Sequence, residues 1–301
     1  MNPIQPQHRR FSIRPGLVIL WGWALFVLLG CEAQKLDDSS PSDHQSQPEL
    51  IIYSGITMVR PLQELAREFE ATHNVKVTIK QGATGYLYHT LKEERKGDIF
   101  FPGSETYRQQ YQSEGLLKDY VFVGYNRLAL IIAEGNPKHL TNDLHQLYDP
   151  DISVVLSSPE SGAVGRNTQT LLDRQGITDQ VYDNVTYFTT DSHRIFNAIK
   201  RGDADLAINW YATSRWPETE FQMDAIPLPA DLAPPKRLEL NLLSFSSQPE
   251  LAREFMAFAS SKHGLKVFAE YGFLTETELH QALSSQPDHT QRSAPRQQDE
   301  P

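Results

Sequence analysis

The chain has 301 residues, a formal net charge of −10 and a single cysteine, Cys31. This length suffices for one large domain or two modest ones, and one cysteine excludes an intramolecular disulfide. The acidic charge argues against a nucleic-acid partner, which requires basic surfaces. It does not exclude an anionic ligand, because a buried site can bind an anion through neutral hydrogen-bond donors.

The first 30 residues are typical of a secretory signal peptide. Three arginines precede an apolar run over residues 17–29, which is shorter than the roughly 20 residues of a membrane-spanning helix. The run ends in Leu-Leu-Gly before Cys31, which resembles the lipobox of bacterial lipoproteins, where the cysteine is acylated and becomes the new N terminus. The alternative is an uncleaved anchor with an incidental cysteine. Both place the protein outside the cytoplasm on a membrane, and cleavage leaves a net charge of −13.

Two polar segments are predicted to flank the folded part. Residues 31–48 form a tether rich in Ser, Asp, Gln and Pro, and residues 277–301 form a disordered tail of similar character. Between them, short apolar runs alternate with helical patterns, which indicates an α/β fold. Strands are predicted at 50–53, 75–79, 98–101, 152–156, 185–188, 205–210 and 238–245, with helices between them and two helices at 251–258 and 265–271.

These elements predict two lobes. Residues 49–127 and 247–276 form the first lobe, and residues 128–246 form the second. Ligands in open α/β sheets bind beyond the carboxyl ends of the strands. Two lobes facing one another therefore predict a ligand cleft between them.

Loops rich in small and hydroxyl residues follow the predicted strands in both lobes. They include Ser54 and Thr57, then Thr84, then Ser104 in the first lobe, and residues 157–165 and 189–192 in the second. Helix N termini expose backbone N–H groups and carry partial positive charge, and small residues allow an anion to approach them. Each loop alone is explained as an ordinary N-cap or turn. Five such loops favour one shared site for a fully ionised oxyanion.

The chain resembles the molybdate/tungstate-binding proteins of ABC uptake systems over roughly residues 50–275. The similar motifs are Tyr-Ser-Gly-Ile-Thr at 53–57, Gly-Ala-Thr-Gly at 82–85, Gly-Asp-Ile-Phe-Phe at 97–101, Arg-Gly-Asp-Ala-Asp-Leu-Ala-Ile-Asn-Trp-Tyr at 201–211, and Phe-Ala-Glu-Tyr-Gly-Phe at 268–273. The resemblance implies a two-lobed type II periplasmic-binding-protein fold. It also implies that the lobes close on one oxyanion and deliver it to an ABC permease.

The resemblance also implies which residues contact the ligand. In the first lobe the hydroxyl donors fall on Thr57, where the family has serine, and on Thr84. In the second lobe backbone donors fall near Ala163 and Val164 and near Ser192 or His193. The family's tyrosine falls on Trp210, or on Tyr211 after a shift of one residue. These departures leave the exact oxyanion open.

Several other side chains have both a functional and a structural interpretation. Arg166 and Arg194 stand beside the second-lobe loops and could pair with a doubly charged anion, or lie on the surface. His193 is expected to be solvated, because the histidines lack metal-binding spacing, and no metal or cofactor is expected. Trp210, Tyr211 and Trp216 are either cleft-wall or core aromatics.

The sequence therefore predicts a monomeric extracytoplasmic solute-binding lipoprotein, not an enzyme, which binds molybdate or tungstate and partners an ABC permease. No nucleophile elbow, P-loop or zinc-binding histidine pair is present. Open alternatives are another solute (phosphate, sulfate, phosphonate or ferric ion), a ligand-sensing or assembly lipoprotein, and a hydrolase with an unrecognised site. The ferric-ion alternative depends on the phenol groups of Tyr53, Tyr125 and Tyr211.

Overall fold

A computed structural model describes residues 47–219 and 221–285. The predicted signal peptide, Cys31, nearly all of the tether and the end of the predicted tail lie outside the described residues. Among the residues described, no helix is both long and apolar enough to cross a membrane.

Strands and helices alternate along the described chain. The strands are β1 (Glu49–Gly55), β2 (Lys76–Gly82), β3 (Ile99–Phe101), β4 (Leu117–Asn126), β5 (Leu128–Ala133), β6 (Val154–Ser157), β7 (Val185–Thr189), β8 (Leu206–Trp210), β9 (Met223–Pro227) and β10 (Lys236–Leu243). The α-helices are α1 (Val59–Thr72), α2 (Thr84–Glu94), α3 (Thr106–Gln110), α4 (Ala163–Gln175), α5 (Thr178–Asn184), α6 (Ser192–Arg201), α7 (Pro249–Ala259), α8 (Lys262–Glu270) and α9 (Glu276–Ser284).

The strands form two five-stranded mixed sheets. The first has the order β2-β1-β3-β10-β4, in which β1 runs parallel to β2 and β3, and β10 runs antiparallel to β3 and β4. The second has the order β7-β6-β8-β5-β9, in which β6 runs parallel to β7 and β8, and β5 runs antiparallel to β8 and β9. We call the first sheet with α1–α3 and α7–α9 lobe 1, and the second sheet with α4–α6 lobe 2. This confirms the predicted two-lobed α/β fold.

The helices pack as their apolar spacing predicts. Leu62, Leu65 and Phe69 of α1 are fully buried or nearly so, because positions three and four apart lie on one helix face. Helix α7 begins with Pro249 in its first turn, where the missing N–H costs no hydrogen bond.

Strand β10 corrects the predicted lobe boundary. It falls inside the segment 128–246 assigned to the second lobe, yet it pairs with β3 and β4 in the first sheet. The chain therefore returns to lobe 1 before Lys236. Leu238 and Leu240 are fully buried there, and buried Glu239 pairs with Arg108 at 2.7 Å. The strand pattern identified β10, but an alternation of apolar residues does not specify which sheet a strand joins.

Helix α9 corrects the predicted start of the disordered tail. It occupies residues 276–284, which overlap the segment 277–301. Its first turn has a capping box, in which Thr275 and Glu278 hydrogen-bond to each other's backbone N–H groups. The polar composition of the segment predicted disorder, although Thr275 and Glu278 are a local signal for the start of a helix.

Candidate ligand-binding site

A narrow cleft lies between the two lobes at the carboxyl ends of β1, β2, β3, β6, β7 and β8. Residues from both lobes contribute to its wall, as expected at the carboxyl edge of an open α/β sheet. The lining residues are Gly55, Ile56, Thr57, Met58, Gly82, Ala83, Thr84, Gly103, Gly162, Ala163, Val164, Thr190, Asp191, Ser192 and Trp210.

Lobe 1 presents two threonines at the starts of helices. Thr57 lies in a 3-10 turn (Ile56–Met58) between β1 and α1, and Thr84 is the first residue of α2. Neither helical start has a side-chain cap, so first-turn N–H groups remain for other acceptors, although the Gly85 N–H of α2 already donates to the Ser161 carbonyl. Thr84 Oγ1 accepts a hydrogen bond from the Gly103 N–H at 3.2 Å, which leaves its own proton to donate.

Lobe 2 presents the start of α4. Its N-cap residue, Gly162, provides no side-chain hydrogen bond, so the N–H groups of Ala163 and Val164 begin the helix without a side-chain partner. Gly103 of lobe 1 allows this helix to approach closely, since a Cβ atom at Gly103 would lie 3.0 Å from the Ala163 Cβ. The backbone of α4 is thereby held next to the lobe 1 loops.

The start of α6 differs because Asp191 caps it. The Asp191 carboxylate accepts hydrogen bonds from the N–H groups of His193 and Arg194, both at 3.0 Å. Ser192 follows as the first residue of the helix, and Thr57 Oγ1 donates to Ser192 Oγ at 3.3 Å across the cleft. Two of the predicted hydroxyl donors therefore bridge the cleft.

The cleft has a neutral wall with one acidic position. Among the fifteen described residues that line it, Asp191 alone carries a charged side chain, and its oxygens already accept hydrogen bonds from α6 and from the Thr190 hydroxyl. Arg194 pairs with Asp191 at 3.5 Å and is mostly exposed, while Arg166 points to lobe 1 rather than into the cleft. The site therefore offers backbone N–H groups and hydroxyls, without a lining cation.

Six of the nine predicted ligand-binding residues line the cleft, namely Thr57, Thr84, Ala163, Val164, Ser192 and Trp210. The other three do not. Ser54 donates to the Gly55 carbonyl, Ser104 hydrogen-bonds with Thr106, and the Tyr211 N–H donates to the Arg127 carbonyl.

The remaining candidate residues lie outside the cleft lining. Tyr53 donates to Glu94 at 3.1 Å, and none of the three tyrosines of the ferric-ion alternative, Tyr53, Tyr125 and Tyr211, lines the cleft. Trp216 is buried against Phe196. No group of three or more His, Cys, Asp or Glu side chains is arranged to hold a metal ion within residues 47–219 and 221–285.

Thr190 and Asp191 also line the cleft; they belong to the predicted loop 189–192 but were not among the predicted ligand contacts. An available signal was Asp191 directly before an apolar helical pattern, because aspartate is a preferred N-cap residue. The lining glycines lie in the predicted small-residue loops, and Gly55 is the most constrained of them: a Cβ there would lie 2.9 Å from the Met58 methyl and 3.1 Å from Thr84 Oγ1.

Comparison with known proteins assigns the family. The model of the family "Bacterial extracellular solute-binding protein" matches residues 50–274. The chain belongs to this family. Its curated relatives include the molybdate-binding protein ModA of Mycobacterium bovis, 22% identical over 82% of this chain and 92% of the relative. They also include YvgL of Bacillus subtilis, named provisionally as an ABC transporter substrate-binding lipoprotein, 21% identical over 84% of this chain and 95% of the relative.

Solved structures of family-like proteins share the fold. The periplasmic molybdate-binding protein of Azotobacter vinelandii is 14% identical, with a TM-score of 0.65 over 75% of this chain and 99% of that one. The sulfate-binding protein SubI of Mycobacterium tuberculosis is 15% identical, with a TM-score of 0.68 over 79% and 89%. Iron-bound HitA of Pseudomonas aeruginosa is 19% identical, with a TM-score of 0.57 over 79% and 97%. Identities this low establish a periplasmic-binding-protein fold and leave the ligand open.

Proposed function

We propose that this solute-binding protein captures a tetrahedral oxyanion, molybdate or tungstate, between its lobes and delivers it to an ABC permease. One observation carries the proposal. Helical starts without side-chain caps, at Ile56, Thr84 and Ala163, meet at one cleft together with the hydroxyls of Thr57, Thr84 and Ser192. Backbone N–H groups at helix N termini are well suited to negatively charged oxygen ligands.

The donors also fit the chemistry of a fully ionised anion. An oxyanion without protons accepts hydrogen bonds on every oxygen and donates none, and the wall supplies backbone N–H and hydroxyl donors from both lobes. Hydrogen bonds to a charged acceptor are roughly twice as strong as those between neutral groups. A closed cleft also removes water from the anion, and the fixed donors from both lobes then replace its hydration shell.

We propose molybdate and tungstate rather than other oxyanions because of the names of related proteins. ModA of Mycobacterium bovis and the Azotobacter vinelandii protein are molybdate-binding proteins by name. Sulfate is the principal competitor, because SubI is a sulfate-binding protein of the same fold. No catalytic step and no cofactor belong to this proposal, and we expect a monomer.

A ligand panel tests the proposal. We expect molybdate and tungstate, each at about 100 times its Kd, to raise the melting temperature of the full chain in detergent by about 5 °C or more, because a ligand bound only by the folded state stabilises it. Sulfate, phosphate, a phosphonate and ferric citrate at equal concentrations are expected to give smaller shifts. A larger shift with sulfate or phosphate would identify that anion as the ligand in place of molybdate and tungstate, and the ligand would still be an oxyanion. Calorimetry showing no binding of any oxyanion would contradict the proposed function.

We also propose that Cys31 anchors the protein through a lipid. Cys31→Ser is expected to prevent acylation, so that incorporation of labelled palmitate is lost and the signal segment, whose cleavage in bacterial lipoproteins follows acylation, stays on the protein. Ser39→Ala in the tether is the matched control and is expected to stay acylated and membrane-bound. Wild-type protein that incorporates no palmitate and keeps its signal segment would instead show that the uncleaved-anchor alternative is correct.

A further inference from the structure

Arg60 of lobe 1 reaches across to lobe 2. Its guanidinium carbon lies 3.7 Å from the ring centroid of Trp216, and its Nε donates to Glu218 at 3.1 Å. Both partners directly follow the 3-10 segment Tyr211–Arg215, which packs on β5 and β9 of lobe 2, and Trp216 contacts Phe196 of α6. Only 20% of the Arg60 side chain is exposed, so the contact is partly desolvated.

Arg166 of lobe 2 reaches across in the opposite direction. Its guanidinium carbon lies 4.5 Å from the ring centroid of Tyr107, and its Nη1 donates to the Gln110 side chain at 2.7 Å. Tyr107 and Gln110 both belong to α3 of lobe 1. Each lobe thus places an arginine on an aromatic ring of the other lobe.

Both rings are fixed by their own lobe. Trp216 is 2% exposed and packs edge-on against Phe196, with His193 nearby. Tyr107 is fully buried and contacts Phe100 and Tyr111. An arginine that moves with one lobe therefore meets a rigid surface on the other.

Each arginine lies one helical turn beyond a cleft residue of its own lobe. Arg60 follows Thr57 by three residues, and Arg166 follows Ala163 by three residues. Residues three apart share a face of a helical segment, so the cleft donors and the arginines move together. Neither arginine lines the cleft, so neither contacts a ligand held there.

We propose that Arg60 and Arg166 are positioning residues that retain the ligand by clasping the closed lobes together, an inference that rests on ligand capture by lobe closure. The two contacts form only when the lobes approach, and opening the cleft separates each guanidinium from its ring. Burial lowers the pKa of Arg60 to about 10, so the side chain still carries its charge at neutral pH. Cation–π contacts are strongest where water is excluded, as it partly is around Arg60.

Lysine substitution separates clasping from simple charge attraction. Lysine keeps the positive charge but loses the planar group that stacks and forms paired hydrogen bonds. We expect Arg60→Lys and Arg166→Lys each to raise the dissociation rate of molybdate about tenfold, and the double variant about 100-fold, with an unchanged association rate. Arg67→Lys, an exposed position on the same helix as Arg60, is the matched control and is expected to change neither rate. Unchanged dissociation rates in both variants would overturn the clasp.

A distance measurement tests the clasp without any ligand. Spin labels at His89→Cys in lobe 1 and Gln175→Cys in lobe 2, both exposed, report the separation of the lobes in the full chain carrying Cys31→Ser. The double lysine variant is expected to shift the distance distribution toward longer separations. An identical distribution overturns the clasp even where wild-type protein binds molybdate. A shift in a protein that fails to bind any oxyanion would support the clasp and contradict the proposed function instead.

Discussion

Replacing Thr57 and Thr84 together by alanine is expected to weaken molybdate binding by at least about 100-fold while leaving the protein folded. Both side chains line the cleft and are nearly fully buried, at 3% and 4% exposure. Each hydroxyl that donates to a charged ligand contributes about 1.5–3 kcal/mol, and about 1.4 kcal/mol corresponds to a tenfold change in affinity. Isothermal titration calorimetry of both proteins measures the loss directly.

The matched control for the double alanine variant keeps both hydroxyls. Thr57→Ser with Thr84→Ser is expected to bind within a fewfold of wild type, because serine presents the same donor. Thr84→Ala also removes the acceptor of the buried Gly103 N–H, which costs about 1–3 kcal/mol of stability. Urea unfolding measures that cost separately. If the folded alanine variant binds molybdate as tightly as the serine variant, these hydroxyls do not contact the ligand.

The fold could be predicted largely from local patterns. The apolar spacing of Leu62, Leu65 and Phe69 specifies one buried helix face, and the alternation of apolar runs with helices specifies α/β layers. The sheet assignment of β10 could not be predicted in this way, because it depends on long-range pairing with β3 and β4 rather than on the residues of the strand itself.

The cleft was partly predictable for a similar reason. A strand followed by small and hydroxyl residues and then a helix is a local pattern, and it identified Thr57, Thr84 and Ser192, which the structure brings to one cleft. Contacts that cross between lobes have no local signal. Arg166 was considered as an anion partner, yet its side chain lies on Tyr107, 59 positions earlier in the chain. Arg60 likewise contacts a ring that is distant in the chain, Trp216, and the two meet only because the lobes lie against each other.

Gly85→Ala is expected to weaken molybdate binding about 100-fold by keeping the lobes apart. The Gly85 N–H donates to the Ser161 carbonyl at 3.1 Å across the lobe boundary. A Cβ atom at residue 85 would lie 2.7 Å from that carbonyl oxygen and 3.2 Å from the Glu160 oxygen. Both neighbours are backbone atoms, so the added methyl group displaces α2 from the start of α4. Thr84 and Ala163 then cannot both reach one small anion, and losing two charge-assisted hydrogen bonds accounts for the expected change.

The stability of the ligand-free Gly85→Ala protein distinguishes this effect from misfolding. Alanine within a helix is favoured over glycine by about 0.5–1 kcal/mol, so the free energy of unfolding is expected to stay constant or increase while affinity falls. His89→Ala, on the exposed side of the same helix, is the matched control and is expected to preserve affinity. Stability is measured by urea unfolding and affinity by calorimetry. A folding defect would lower both stability and affinity, whereas a block to lobe closure lowers only affinity. Wild-type affinity in Gly85→Ala would mean that ligand binding does not require the contact between α2 and Ser161.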